Sequence, residues 1–233
     1  MGIKWAAKLT GVHDVTLAGK ANLSYWTAKL KAERLVPIDQ DGWAQVLIIG
    51  VNSKYMGIKF REVLFSIAVK DENQPDSAPG AYLLQAYNTS GLLTWCEQTF
   101  FSVPYAQEEC DVRTLLPPKI RVSRQDVEIF RAEMGSFEGG DPREPIRSGI
   151  ENWSVQVFIP NPKGGPPAKW FQAQIEGETK VYAFEAGKDF LGIDPSRMCP
   201  PLRLLVDSEF TPTEWYIRQS SSHFKSKTYR RRP

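Results

Sequence analysis

The chain has 233 residues, of which 42% are hydrophobic and 24% are charged, and this composition is that of an ordinary globular protein with enough material for a full core. Its 29 basic and 27 acidic residues give a formal net charge of +2, so bulk charge does not indicate a nucleic-acid partner. No apolar run approaches the ~18 residues of a membrane span, and the first residues lack the apolar stretch of a secretory signal. We therefore expect a cytoplasmic protein without a membrane partner.

Metal and cofactor motifs are missing from the sequence. Cys96, Cys110 and Cys199 are widely spaced and form no C-x-x-C pair, which argues against a disulfide framework and against a structural zinc site. The two histidines, His13 and His223, are far apart, so neither a transition-metal site nor a Cys–His pair can be argued. The glycine-rich loops that bind nucleotide phosphates are also absent. We predict no metal and no cofactor.

Short strand-like segments dominate the chain. Residues 21–26 predict a strand that enters a short helix, and Val36-Pro37 ends that helix because proline restricts the residue before it. Residues 42–51 form a nearly continuous apolar run, which is typical of a strand buried on both faces and central to a sheet. Further strands are predicted at residues 60–69, 81–88, 92–101, 119–123, 127–133, 153–159, 169–176, 179–184 and 202–206.

This pattern predicts the fold class. Many short strands with one or two helices indicate a mainly β protein with a few short helices (α+β), closed or nearly closed into a β-barrel, because closure leaves no unpaired strand edge. We predict a single domain over residues 1–220 and a basic tail over residues 221–233. The tail is interpreted as a frayed, solvated terminus, with a weak polyanion or localisation patch as the alternative. Barrels of this kind hold a ligand inside or at the mouth.

The order of several motifs resembles the acetoacetate decarboxylase superfamily. The matching features are the apolar strand at 43–51, Phe60-Arg61-Glu62, Gly80-Ala81-Tyr82-Leu83, and Glu97, which is placed like the glutamate of the family's Gly-Arg-Glu motif. Phe190-Leu191 and Pro200-Pro201-Leu202 are similar to the family's leucine and proline stretch before its last strand. The resemblance covers most of the chain and implies an acetoacetate decarboxylase-like barrel that binds a small carbonyl compound.

The sequence differs from the family at the positions of the family's catalytic residues. In that family a lysine pair follows a proline, and one lysine forms a Schiff base with the substrate. Here Tyr105 and Ala106 follow Pro104, and Cys96 replaces the arginine before the family's glutamate. The resemblance therefore implies a relative that lacks the Schiff-base lysine.

Lysines on other elements are the alternative carriers of imine chemistry. Lys54, Lys59 and Lys169 could project inward from other predicted strands. We expect them to be solvated at strand ends, because lysine is rarely buried.

Two glutamates are candidate proton carriers. Glu62 and Glu97 each lie among apolar side chains on a predicted strand. When two carboxyl groups are buried side by side, their pKa values move apart, which gives one protonated acid and one base. The alternative is that either glutamate is half of a structural ion pair with an arginine, or points outward. Because side chains alternate along a strand, only one of Arg61 and Glu62 can line a pocket.

Aromatic and amide side chains near these glutamates are the candidate ligand contacts. Tyr105 joins Glu62 and Glu97 as a candidate catalytic residue, and Tyr105, Tyr82 and Gln98 are candidate hydrogen-bond donors to a carbonyl oxygen. Aromatic rings can line a hydrophobic pocket, although ordinary core packing explains each ring as well. The predicted substrate contacts are Tyr82, Gln85, Tyr87, Trp95, Gln98 and Phe101.

These features predict a small-molecule enzyme. We expect a lyase, isomerase or cyclase of secondary metabolism that acts on a hydrophobic carbonyl or polyketide-like substrate by cyclisation, dehydration, isomerisation or decarboxylation without an imine. A carrier or sensor with the same pocket is the second class and would bind a ligand without changing it. A structural protein, the third class, would have a barrel filled with side chains. The expected partner is a hydrophobic small molecule, and a homo-oligomer is compatible with these properties.

Overall fold

A computed structural model describes residues 3–74, 78–136, 143–194 and 199–231, and strands dominate these ranges. The strands are β1 (Trp5–Asn22), β2 (Leu35–Pro37), β3 (Asp39–Gln40), β4 (Trp43–Tyr55), β5 (Ile58–Asp71), β6 (Gly80–Asn88), β7 (Tyr105–Gln107), β8 (Glu109–Arg113), β9 (Lys119–Arg124), β10 (Val127–Glu133), β11 (Arg147–Ile159), β12 (Lys169–Ala183), β13 (Phe190–Ile193), β14 (Thr211–Ser226) and β15 (Tyr229–Arg230). The helices are α1 (Leu23–Leu30), α2 (Gly91–Cys96) and α3 (Pro200–Asp207), with a 3₁₀ turn at Lys31–Glu33 and a π-helical turn at Glu97–Phe101. Within the described ranges, the helices are too short or too polar to cross a bilayer.

Seven strands close into a ring. Their order is β5-β4-β1-β14-β12-β11-β6, and the pairing of β6 with β5 completes the circle. Neighbouring strands are antiparallel except for β11 and β6, which pair in parallel. The predicted architecture, mainly β with a few short helices and closed or nearly closed, is confirmed.

Alternation along the ring strands divides their side chains between an inner and an outer face. In β4, Val46 and Ile48 point outward and are fully buried, whereas Leu47 and Ile49 point inward and keep part of their surface accessible. Leu47 shares a packing cluster with Trp153 of β11, across the ring. The central position of β4 is therefore as predicted, but only its outer face is fully buried, whereas the prediction was of a strand buried on both faces. The inner face retains accessible surface that a ligand could use.

A second sheet packs against the outside of the ring. Its strand order is β13-β10-β9-β8, and all its pairs are antiparallel. Gly50 of β4 allows the close approach of this sheet, because a Cβ at that position would lie 3.1 Å from a side-chain atom of Val112. The second sheet, α1 and α3 bury the outward apolar residues in the main core.

Three segments that the sequence predicts as strands are wholly or partly helical. Residues 92–101 form α2 and the π-helical turn, residues 202–206 lie in α3, and residues 21–26 are divided between β1 and α1. Side-chain oxygens cap two of these helices: Asn22 accepts from the Tyr25 amide at 2.9 Å, and Ser90 accepts from the Leu93 amide at 3.4 Å. These caps favour helix starts, and they outweigh the apolar and aromatic content that favours strands.

Residues 177–178, which separate two of the predicted strands, do not interrupt the strand. They lie inside β12, at a register shift in its pairing with β14. Gly177 fits this irregularity because a Cβ there would lie 2.9 Å from the Ser221 side chain. The predicted strands at 169–176 and 179–184 are therefore one element.

The described end of the chain differs from the predicted frayed tail. β14 continues to Ser226, so the predicted boundary at residue 220 falls inside a strand. Arg231 pairs with Asp71 at 2.6 Å, and both side chains are 5% exposed. The Arg231 guanidinium also donates to the carbonyls of Glu33 and Arg34. An arginine therefore anchors the end of the chain, and residues 232–233 lie outside the described ranges.

Candidate functional site

Glu62 lies on the inner face of the ring, at the centre of the candidate site. Its Oε2 atom accepts hydrogen bonds from the Tyr105 hydroxyl at 2.7 Å and from Nδ2 of Asn88 at 3.1 Å. Strand pairing positions both donors, because Asn88 lies opposite Glu62 in the β5–β6 register and β7, which begins at Tyr105, pairs in parallel with β6. Alternation along β5 places Arg61 on the opposite face, so Glu62 is the residue of this pair that lines the interior.

The surroundings of Glu62 favour its protonated form. Burial raises the pKa of Glu62, and the negative charge of Glu97 adds to this effect. Hydrogen bonds from Tyr105 and Asn88 and the charge of Lys225 act in the opposite direction without cancelling it. The pKa of Tyr105 is also raised, by burial and by the neighbouring Glu62. Glu62 therefore retains its proton to a higher pH than an ordinary glutamic acid does.

Glu97 approaches the interior from the π-helical turn rather than from a strand. Its Oε2 atom forms an ion pair with Nζ of Lys225, which lies on β14, and the two side chains are 20% and 18% exposed. Nζ of Lys225 also lies 4.5 Å from the ring centre of Phe101 and 4.6 Å from that of Phe171. A carboxylate and two aromatic faces all attract a cation, so this environment suits an ammonium ion.

The structure brings four of the predicted residues, Glu62, Glu97, Tyr105 and Phe101, into this site. Two others, Gln85 and Gln98, hold the backbone next to the site by hydrogen bonds. Nε2 of Gln98 donates to the Tyr105 carbonyl at 2.6 Å, and Nε2 of Gln85 donates to the Pro104 carbonyl at 2.6 Å. These amides fix the backbone at the start of β7 and so orient Tyr105.

Tyr82, Tyr87 and Trp95 do not face the site. Tyr82 and Tyr87 belong to the main core on the outer side of the ring, where the Tyr87 hydroxyl lies 2.9 Å from Sγ of Cys199. An irregularity in the β5–β6 pairing places both tyrosines on the same face despite their odd spacing. Trp95 is 53% exposed on α2, where its ring contacts Phe100.

Sequence reasoning missed Lys225 and Asn88. Lys225 falls within the segment predicted to be a solvated tail, whereas it lies in β14, the last long strand of the ring. The alternation of polar and apolar residues over 214–218 is the signal that could have extended a strand towards it. Asn88 becomes recognisable only when the register opposite Glu62 is known.

A second polar cluster lies farther along the inner face of β14. Arg218, fully buried, pairs with Asp14 at 2.8 Å and lies 4.3 Å from the ring centre of Trp153. Nε2 of His223 lies 3.1 Å from Asp14 Oδ2, and the Ser221 hydroxyl donates to the same oxygen at 2.7 Å. Burial by itself would raise the pKa of Asp14, but the hydrogen bond with His223, the charge of Arg218 and the Ser221 hydroxyl together hold it below its ordinary value. These groups satisfy one another, so we interpret the cluster as structural.

Within the described ranges, no three His, Cys, Asp or Glu side chains are arranged to hold a metal ion.

Comparisons with known proteins were informative at the level of structure. No family model and no curated protein matches the chain. The enduracididine biosynthesis enzyme MppR is similar with a TM-score of 0.63 and 9% identity, covering 96% of this chain and 86% of that one. Other structures of MppR contain pyruvate or the condensation product of pyruvate and imidazole 4-carboxaldehyde.

Two further similar structures are acetoacetate decarboxylases. An acetoacetate decarboxylase matches with a TM-score of 0.62 and 15% identity, covering 96% of this chain and 88% of that one. The acetoacetate decarboxylase of Legionella pneumophila matches with a TM-score of 0.61 and 10% identity, covering 95% and 86%. The chain therefore has an acetoacetate decarboxylase-like fold.

Proposed function

We propose that this protein is a small-molecule enzyme that acts on a hydrophobic carbonyl or polyketide-like substrate by acid/base catalysis inside the ring, without a Schiff-base lysine. The observation that carries the proposal is Glu62, a carboxyl group enclosed by strands whose direct hydrogen-bond donors, Tyr105 and Asn88, are neutral. Burial and the charge of Glu97 raise the pKa of Glu62. An acid with a raised pKa beside a second carboxylate suits proton transfer in both directions.

The proposed step is enolisation of a bound carbonyl compound. The Glu97 carboxylate removes a proton from the carbon next to the carbonyl group, and the protonated Glu62 donates its proton to the carbonyl oxygen. The C–H electron pair becomes the C=C bond of the enol, so Glu62 ends as carboxylate and Glu97 as acid. Tyr105, which donates to Glu62, is the additional donor for the oxygen. Enolisation is common to isomerisation, dehydration and cyclisation.

Two observations favour acid/base chemistry over an imine. Tyr105 and Ala106 stand where the resembling family has its lysine pair. The lysine near the two glutamates, Lys225, has a carboxylate and two aromatic rings as partners, and these stabilise a cation rather than the free amine that an imine requires.

The fold neighbours support the substrate class. MppR binds pyruvate and a condensation product of pyruvate with an aldehyde, and these ligands derive from carbonyl compounds. The apolar inner face near Glu62, which includes Leu64 and Phe101, favours a more hydrophobic ligand here.

Hydrogen–deuterium exchange tests the proposal. We expect the protein in D₂O to accelerate the loss of the proton NMR signal of the carbon next to the carbonyl group in acetophenone, cyclohexanone or pyruvate. Glu62→Gln should abolish this acceleration because the amide cannot donate the carboxyl proton. The alternative function, a non-catalytic carrier or sensor, is favoured if these compounds bind saturably without accelerated exchange.

A further inference from the structure

Glu62 and Glu97 differ in the charge of their direct partners. Lys225 forms a direct ion pair with Glu97, whereas the direct partners of Glu62 are the neutral Tyr105 and Asn88. Lys225 affects Glu62 only through its charge. The two carboxyl groups therefore have different environments although they lie in one site.

The position of the ammonium group is well defined. Lys225 extends from β14, and the rings of Phe101 and Phe171 lie within 4.6 Å of Nζ. Phe101 and Glu97 belong to the same π-helical turn. The turn and β12 thus hold the cation beside the Glu97 carboxylate.

Other titratable groups near the pair lie farther from this contact. His223, two residues before Lys225 on β14, interacts with Asp14. On the outer side of β5, Cys110 of β8 responds to the charge of Glu62, and burial raises its pKa to about 12. The residues of β12 and β11 nearest to Lys225 on the inner face, Ala173 and Val155, are apolar.

We propose that Lys225 is a positioning residue that keeps Glu97 as the carboxylate and thereby leaves the exchangeable proton on Glu62. This inference rests on the proposed function for its catalytic meaning: Lys225 decides which glutamate is the acid and which is the base. Without the cation, the Glu97 carboxylate would lie beside Glu62 with no opposite charge next to it, and two neighbouring carboxyl groups disfavour full ionisation.

Infrared spectroscopy of the protonated carboxyl group tests the proposal without a substrate. As the pH is raised through the range in which ordinary glutamates ionise, the wild-type spectrum should contain a carboxylic acid band that outlasts the others and that Glu62→Gln, but not Glu97→Gln, removes. In Lys225→Met a second carboxylic acid band should appear, and the double variant Lys225→Met/Glu97→Gln should lack it. Lys225→Arg should retain the wild-type pattern because it preserves the charge.

Lys169→Met is the matched control. Lys169 is an exposed lysine of β12 that donates to the Ser102 hydroxyl at 2.8 Å, directly after the π-helical turn. Its removal should leave both glutamates unchanged. The proposal is overturned if Lys225→Met shows no band that depends on Glu97.

Three further outcomes separate the possible failures. If Lys225→Met does not fold, the titration of Glu62 in the Glu97→Gln variant tests the inference instead. The Glu62 carboxyl group should then titrate at lower pH than in wild type, because the negative charge of Glu97 is lost. An unchanged titration would contradict the inference. If the infrared pattern holds but no carbonyl compound exchanges deuterium, the proposed function fails and the proton distribution stands. If exchange occurs without the pattern, the role of Lys225 fails alone.

Discussion

The Tyr105 hydroxyl donates a 2.7 Å hydrogen bond to the Glu62 carboxylate, although β6 separates the strands that carry the two residues. Asn88 of β6 donates to the same oxygen. One carboxyl oxygen therefore joins three adjacent strands, and its proton affinity depends on their register.

Tyr105→Phe should raise the pKa of Glu62 further, because the tyrosine hydrogen bond lowers that pKa. The free energy of unfolding should fall by ~1 kcal/mol, the usual net value of one hydrogen bond. An infrared titration of the Glu62 band measures the first effect and urea unfolding the second. Tyr55→Phe, which changes a tyrosine of β4 outside the Glu62 hydrogen bonds, should leave the titration of Glu62 unchanged. An unchanged titration in Tyr105→Phe would show that the bond does not form.

Glu62→Gln should stabilise the protein relative to wild type as the pH rises. The folded pKa of Glu62 lies above its unfolded value, so its contribution to stability is complete below about pH 4.5, near the pKa of an ordinary glutamic acid. That contribution is lost as the pH rises through the folded pKa. Urea unfolding at a series of pH values measures the difference between the two proteins. A difference that does not grow with pH would contradict the raised pKa.

Glu97→Gln should lower the free energy of unfolding by about 2–3 kcal/mol. The substitution leaves the Lys225 cation without its carboxylate. The burial of this pair is intermediate between that of an exposed ion pair, whose loss costs up to ~1 kcal/mol, and that of a buried one, whose loss costs ~3–5 kcal/mol. Adding Lys225→Met should recover part of the loss, which a double-mutant cycle of melting measurements would show. The exposed Glu178→Gln should have little effect. Strictly additive losses would indicate that Glu97 and Lys225 are not coupled.

Asp14→Asn should destabilise the protein by ~3–5 kcal/mol, because it removes the closer and fully buried of the two carboxylates that pair with the buried Arg218. The folded pKa of Asp14 is lowered, so its stabilising effect is present above the unfolded pKa, near 3.8, and is lost as the pH falls through the folded value. Acid unfolding of wild type should therefore include a component that Asp14→Asn lacks. The exposed Asp126→Asn is the control and should unfold like wild type.

Arg231→Ala should lower the free energy of unfolding by ~3 kcal/mol, since it leaves the buried Asp71 carboxylate unpaired and removes donors from two carbonyls. The neighbouring Arg230 is exposed, so Arg230→Ala should change stability by less than ~0.5 kcal/mol. Equal melting temperatures for the two variants would support a solvated terminus.

The sequence predicted the ring strands where the local pattern decides the structure. β4 and β5 are long runs of β-branched and apolar residues, and β10 matches its predicted range of 127–133. Glu62 was singled out because it is a charged residue among the apolar residues of a predicted strand, and Tyr105 because it follows Pro104, where the resembling family has its lysine pair. The segment at 92–101 was missed because its apolar residues suit a strand, while a single capping serine determines a helix.

Lys225 could not be assigned to the site from the sequence, since its place depends on closure of the ring. It faces Glu97 from an element 128 residues away, and no local pattern encodes that contact. The outward direction of Tyr82 and Tyr87 likewise follows from an irregularity in strand pairing, which sequence alternation does not reveal.

The central claim is carbonyl chemistry without an imine, and borohydride reduction in the presence of acetoacetate tests it most directly. A Schiff base would be reduced to a stable adduct that intact-protein mass spectrometry detects. We predict an unchanged mass, because Tyr105 and Ala106, rather than lysines, follow Pro104 and because Lys225 forms an ion pair with Glu97. A stable adduct on Lys225, Lys54, Lys59 or Lys169, located by peptide mapping, would contradict the account and make that lysine the catalytic group.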